Sequence, residues 1–175
     1  MKIETQRSAE LTELAVVIGA VEPIGVAMLT HRDAEGALLS RPMVALEMDS
    51  DGAIWFVTAL SATPVEQLTT LNLSFSDPAR SAFVSLSGRG ELHIDRTRST
   101  RLWTTAARPW HADGPGSSNL ALLKFVTNSA QRWDASQSRM VQIVAIAATP
   151  AGGSAFRVRT TLLGLKSPGP KTTTA

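Results

Sequence analysis

The residue of this 175-residue chain that most needs a chemical explanation is Arg41. It stands in an extended run from Leu38 to Met48, where alternation puts Leu39, Met43 and Ala45 on its own face. Leu38, Val44, Leu46 and Met48 share the other face with Ser40 and Pro42. Both faces are largely apolar, which predicts a strand covered on both sides. A guanidinium in such surroundings keeps its charge and needs an anionic partner, either a carboxylate of the chain or the phosphate of a ligand. Three other groupings carry weaker signals. Glu91, His93 and Asp95 fall on one face at period two, but a solvent-facing polar stripe explains them without a metal, and there is no second histidine beside them. Arg96, Arg98 and Arg101 gather at a helix start with no interleaved aromatics, so no nucleic-acid partner is expected. Trp103 and Trp110 read as core or interface anchors before they read as stacking platforms. His31, His93 and His111 have no G-x-S-x-G serine to serve, so hydrolase chemistry is unsupported.

The elements that must position Arg41 follow from pattern. Asp49-Ser50-Asp51-Gly52 is hairpin chemistry and joins Leu38–Met48 to a second extended run, Ala53-Ile54-Trp55-Phe56-Val57-Thr58. Ahead of them, Ile24 to His31 is an apolar run ended by the turn Arg32 to Gly36, so three strands form an antiparallel meander. Residues 8–19 carry Leu11, Leu14, Ala15 and Ile18 at helical spacing with Ser8 as N-cap. Thr63-Pro64-Val65-Glu66 is a capping box opening a short helix to about Leu71. Leu71, Leu73 and Phe75 then alternate with polar residues up to Asp77-Pro78. Ala82 to Asp95 alternates again with Val84, Leu86, Leu92 and Ile94 inward, and Gly88 and Gly90 mark a bulge or a close backbone approach. A long bent strand with a glycine corner is what a small barrel needs to close. Arg96 to Ala107 reads as helix, Arg108 to Asn119 as loop and Leu120 to Trp133 as strand. Met140 to Ala148 has strand-like valine and isoleucine but cap-like serines before it and Gly152-Gly153 after it, and helix is the expectation. One domain over residues 8–165 and a disordered, proline- and threonine-rich tail over 166–175 complete the reading.

Composition narrows the class. Hydrophobic residues at 43% and charged residues at 18% are those of an ordinary globular protein large enough for one sizeable core. The net charge is only +2, so the pI of 9.5 reflects the absence of cysteine and tyrosine more than a basic surface. Without cysteine there is no disulfide framework, thiolate metal site or thiol nucleophile. No run of ~18 apolar residues could span a membrane, and the opening residues lack a secretory layout. A cytoplasmic protein with no membrane contact is expected.

Taken together, Ser40-Arg41-Pro42-Met43, Asp51-Gly52, Trp55 to Thr58, Asn72 to Pro78, Val84-Ser85-Leu86-Ser87-Gly88, the Trp103 to Trp110 interval, Asp113-Gly114, Leu120 to Leu123 and Trp133-Asp134 resemble a known family. It is that of the bacterial general stress proteins, within the pyridoxamine-phosphate-oxidase-like, FMN-binding split barrels. The resemblance runs from about Leu11 to Gly152. It implies a mainly β fold, a six-stranded antiparallel barrel with flanking helices, a homodimer, and a flavin held at each subunit interface. By position it implies that Arg41 meets the flavin phosphate, that Pro42 and Met43 lie beside the ring, and that Trp55, Phe56, Val57 and Thr58 line it. It also implies helix for Met140 to Ala148. Where the family pattern carries a serine-x-lysine at the phosphate, this chain has Ala62-Thr63-Pro64. Ser61, the Thr63 hydroxyl and the helix N-terminus remain to receive a phosphate. The cofactor expectation is therefore FMN, with FAD or none as alternatives, and any activity that of a flavin-dependent oxidoreductase. The opposing reading is a dimeric module that has kept the barrel and lost its cofactor.

Overall fold

In the computed structural model the alternating runs become antiparallel strands. It describes residues 19, 21–49, 52–62, 64–104, 107–111, 113–134, 139–146 and 155–161, the last two segments as backbone. The strands are β1 (Val26–Arg32), β2 (Leu38–Met48), β3 (Ile54–Ala59), β4 (Leu71–Asp77), β5 (Ala82–His93), β6 (Leu120–Asp134), β7 (Arg139–Ile146) and β8 (Ala155–Thr161). They follow the order β3-β2-β1-β4-β5-β6-β7-β8, and an added pairing of β3 with β6 closes the first six into a barrel. β6 serves two partners on one edge. Its first half, Leu120 to Phe125, zips onto β3, and its second half, Ser129 to Asp134, carries β7 and through it β8.

Two apolar clusters explain the sequence pattern. Leu29, Phe56, Leu73, Leu86, Leu123 and Phe125 fill the barrel interior. Trp55, Val57, Leu102, Leu120 and Leu122 form a second cluster outside it, with Leu46 and Trp103 packed on its margin. The α-helix α1 (Arg96–Leu102) contributes Leu102 to that cluster. β3 and the start of β6 are thus covered on both faces, which is why Ile54 to Val57 and Leu120 to Leu123 are unbroken apolar runs.

The expected hairpin turns are present. Asp49 Oδ1 accepts from the Ala53 N–H at 2.9 Å, and Gly52 takes a φ of 76° that few other residues adopt without strain. Gly88 and Gly90 mark a close approach, as their pattern predicts. A Cβ on Gly88 would collide with the Val126 carbonyl and the Phe125 ring, and one on Gly90 would meet the tips of Leu123, Leu71 and Leu68. The pairing of β5 with β6 slips at Gly88, where Asn128 is the extra residue.

Four expectations change. Met140 to Ile146, the described part of the segment expected to be helix over Met140 to Ala148, is strand: β7 pairs residue for residue with the far half of β6, whose ladder groups β3 has left open. The β-branched Val141, Ile143, Val144 and Ile146 suit that role, and the cap-like neighbours lie outside the described residues. The helix after the proline is a single 3₁₀ turn, Val65–Leu68, with no side-chain cap bond at Pro64, because Leu68 must enter the core and Leu71 already starts β4. Thr63 lies outside the described residues, as do residues 8–18 and the tail. Ile94 is 71% exposed, because β5 ends at His93 and Asp95 turns to cap α1 through the Arg98 N–H at 2.8 Å. Finally, β2 bulges between Ala45 and Glu47, so Leu46 joins the outer cluster while Met48 packs on the inner one.

Candidate functional site

The β2 bulge and the chain leaving α1 together shape an open pocket on the outer side of the barrel. It is a shallow depression open to solvent, lined by Pro42, Met43, Val44 and Leu46 of β2, Val57 of β3, and Ala107 and His111 of the loop after α1. Leu46 reaches it by the same alternation that brings Pro42 and Val44 there, and it is Met48, beyond the bulge, that turns inward. Ala107 is almost fully buried, which fixes the near end of the loop. The lining is apolar apart from His111.

Two basic side chains bear on this wall. Arg41 stands opposite Leu29 across the ladder and is half-buried. Burial lowers its pKa from the usual guanidinium value, yet an arginine remains charged. His111 is also half-buried. Burial, with a smaller push from the Arg41 charge, lowers its pKa, and a hydrogen bond to the Val57 backbone opposes the shift. The net effect keeps the imidazole neutral at neutral pH, its N–H donated to the Val57 carbonyl. The Trp103 ring lies 6.3 Å from the His111 ring and backs it.

Of the residues predicted from sequence, Pro42, Met43 and Val57 line the pocket; Arg41 does not, and its link to the pocket is its charge acting on His111. Phe56 and Thr58 do not line it. Both point away from Val57 in the alternation of β3, Phe56 within the inner cluster and Thr58 buried. Trp55 is on the pocket's face of β3 but is already enclosed. Arg98 lies 3.6 Å over its ring, His93 packs at 5.1 Å, and its indole N–H donates to Asp49 at 3.3 Å. Glu47 holds both Arg98 and Arg101 at 3.5 Å, so these arginines pin α1 to the barrel. Arg96 donates to the Gly116 carbonyl at 3.4 Å. Ser61 is engaged by Asn119, which accepts from its backbone N–H and donates to its hydroxyl, both at 3.1 Å. Thr63 falls outside the described residues. His93 pairs with Glu91 at 3.7 Å while Asp95 caps α1, and no group of three or more metal-ligating side chains forms among the described residues. No described helix is long and apolar enough to cross a membrane. His111 is the residue that sequence reasoning missed as part of a site. Its only sequence signal is a Trp-His pair in a polar loop, and nothing local states that the loop folds back onto Val57.

Comparison with known proteins agrees with this architecture. A family model described as pyridoxamine 5'-phosphate oxidase like matches residues 12–156, so the chain belongs to that family. Among solved structures, it is similar to a general stress FMN/FAD binding protein from Xanthomonas citri at 31% identity and a TM-score of 0.53, over 66% of this chain and 83% of that one. A protein related to general stress protein 26 from Clostridium acetobutylicum aligns at 21% identity with a TM-score of 0.62, over 75% and 94%. A pyridoxamine 5'-phosphate oxidase-related, FMN binding protein from Nostoc punctiforme shares the fold at 9% identity and a TM-score of 0.57, over 83% and 95%. No curated protein matches.

Proposed function

We propose that this protein binds a flavin, FMN or FAD, with the ring against the pocket wall and the nucleotide phosphate toward Arg41. The observation that carries the reading is an apolar wall of Pro42, Val44, Leu46, Val57 and Ala107 next to a half-desolvated guanidinium. A planar tricyclic ring suits the first, and a phosphate suits the second through charge-assisted hydrogen bonds. The naming of the Xanthomonas relative as an FMN/FAD binding protein supports the same ligand class.

The fit is that of one wall. Pockets that enclose a ligand of this size hold roughly 300–1,000 Å³, far more than this shallow, open depression offers on its own. A second copy completes it in this reading. Val26 and Met28 of β1 are 45% and 42% exposed and pair across the ladder with Val44 and Pro42, so the apolar wall runs on to open surface. Covering it in a homodimer removes that strip from water and closes the slot. When bound, the flavin supplies hydride or electron acceptance at its ring system. The chain's own residues bind and orient: Arg41 holds the anionic end, the aliphatic wall excludes water from one ring face, and Trp103 and Val57 hold His111 at the rim. The protein acts as one domain in the cytoplasm in this reading, and an oxidoreductase activity follows only where a substrate reaches the exposed ring face.

Purified protein titrated with FMN and FAD tests the proposal. Visible absorbance and quenching of tryptophan fluorescence are expected to report binding, and Arg41→Ala is expected to weaken it at least tenfold. No quenching at high micromolar flavin refutes binding. Sedimentation showing a monomer at micromolar concentration refutes the dimer. A second reading, a cofactor-less dimeric module, has specific observations behind it: Pro64 occupies the family's lysine position, and Asn119 already engages Ser61. If the natural chain binds no flavin and Pro64→Lys creates binding, that second reading is correct.

A further inference from the structure

We propose that His111 binds the flavin directly, presenting an unprotonated ring nitrogen into the pocket as the hydrogen-bond acceptor for an N–H on the edge of the isoalloxazine. This rests on the flavin reading and deepens it by assigning the one polar side chain of the wall. The geometry has three parts. His111 lines the pocket, whose other side chains are apolar. Its ring N–H is committed to the Val57 carbonyl, and a neutral imidazole then has only an acceptor left. The Trp103 ring lies beside it, 6.3 Å between centroids and tilted by 59°.

The charged surroundings favour an acceptor over a second phosphate-binding cation. Arg41 from β2 acts on the imidazole and disfavours its protonation, and β3 offers only the Val57 carbonyl. The Arg108 and Asp113 side chains of its own loop are exposed. A group that meets an imide N–H must be neutral, whereas one that meets phosphate gains from being charged. The two roles therefore respond to pH in opposite directions. Protonation turns the acceptor into a donor aimed at another donor, so affinity for the uncharged ring falls in acid.

Riboflavin, which has the ring and no phosphate, and FMN are titrated against the full-length protein between pH 7.5 and 5.0, followed by fluorescence quenching. The expected result is that the dissociation constant for riboflavin rises about five- to tenfold on acidification, the equivalent of one neutral hydrogen bond. His111→Gln, which can still accept but does not titrate, is expected to bind within a fewfold of the natural protein at pH 7.5 with a flat pH profile. His111→Phe is expected to lose about five- to tenfold at pH 7.5. Riboflavin affinity that does not change with pH, or a pH slope that survives in His111→Gln, overturns the proposal. FMN binding that tightens in acid while riboflavin does not assigns His111 to the phosphate and overturns it as well. If neither ligand quenches at any pH, the flavin reading itself fails and this assignment fails with it, an outcome distinct from flavin binding that ignores His111.

Discussion

Replacing Gly88 by alanine places a methyl group where the barrel has no space for one. The new Cβ would meet the Val126 carbonyl, the Val126 carbonyl carbon and the tip of the Phe125 ring. Two of those atoms are backbone of β6 at the point where its register with β5 slips, and Phe125 is fully buried in the inner cluster. Neither can step aside without opening the β5–β6 seam or displacing a core aromatic. Overpacking of this kind costs about 1–3 kcal/mol, and contact with backbone argues for the upper part of that range. For a chain of this length it corresponds to a fall in melting temperature of roughly 5–10 °C. Gly90→Ala meets only the ends of leucine side chains, which can shift, so its loss is smaller. Gly116→Ala has nothing within 4 Å and serves as the control. Thermal and urea unfolding of the three variants checks the order. A Gly88→Ala protein that melts within a degree or so of Gly116→Ala would show that barrel closure does not depend on this contact.

Glu47→Gln releases Arg98 and Arg101 together and is expected to cost on the order of 0.5–1 kcal/mol at low salt, since the pairs are partly exposed. Urea midpoints of natural and variant protein should converge in ~1 M salt, where the Debye length is about 3 Å; a gap unaffected by salt refutes an ionic role. Phe125→Ala removes a fully buried ring from the inner cluster and should lower stability by about 3–5 kcal/mol in guanidinium unfolding. Burial and Arg41 hold His111 below its ordinary value of 6.5, so the unfolded chain takes up the proton first as pH falls. Its contribution to stability is therefore full above that value and declines below it. Melting temperatures at pH 7.5 and 5.5 should differ less in His111→Gln than in the natural protein, and identical pH dependence in the two refutes this assignment.

Much of this protein is written in local pattern. Alternation along Leu71 to Asp77 and from Ala82, the Asp49 and Gly52 turn, and the paired glycines of β5 are each a short-range consequence of side-chain type, and the strands and the tight barrel corner follow from them. Arg41 could be singled out because a charge in an apolar strand is anomalous wherever the strand goes. Tertiary structure decided what needs two distant segments at once. Met140 to Ile146 extends rather than coils because the far half of β6 offers it an open ladder. Phe56 and Val57 part company because only barrel closure decides which face of β3 is inside and which is the pocket wall. His111, some fifty residues from Val57 in the chain, acquires its neutral state and its place in the wall only when the loop after α1 folds back, a contact set by packing and invisible to any local window.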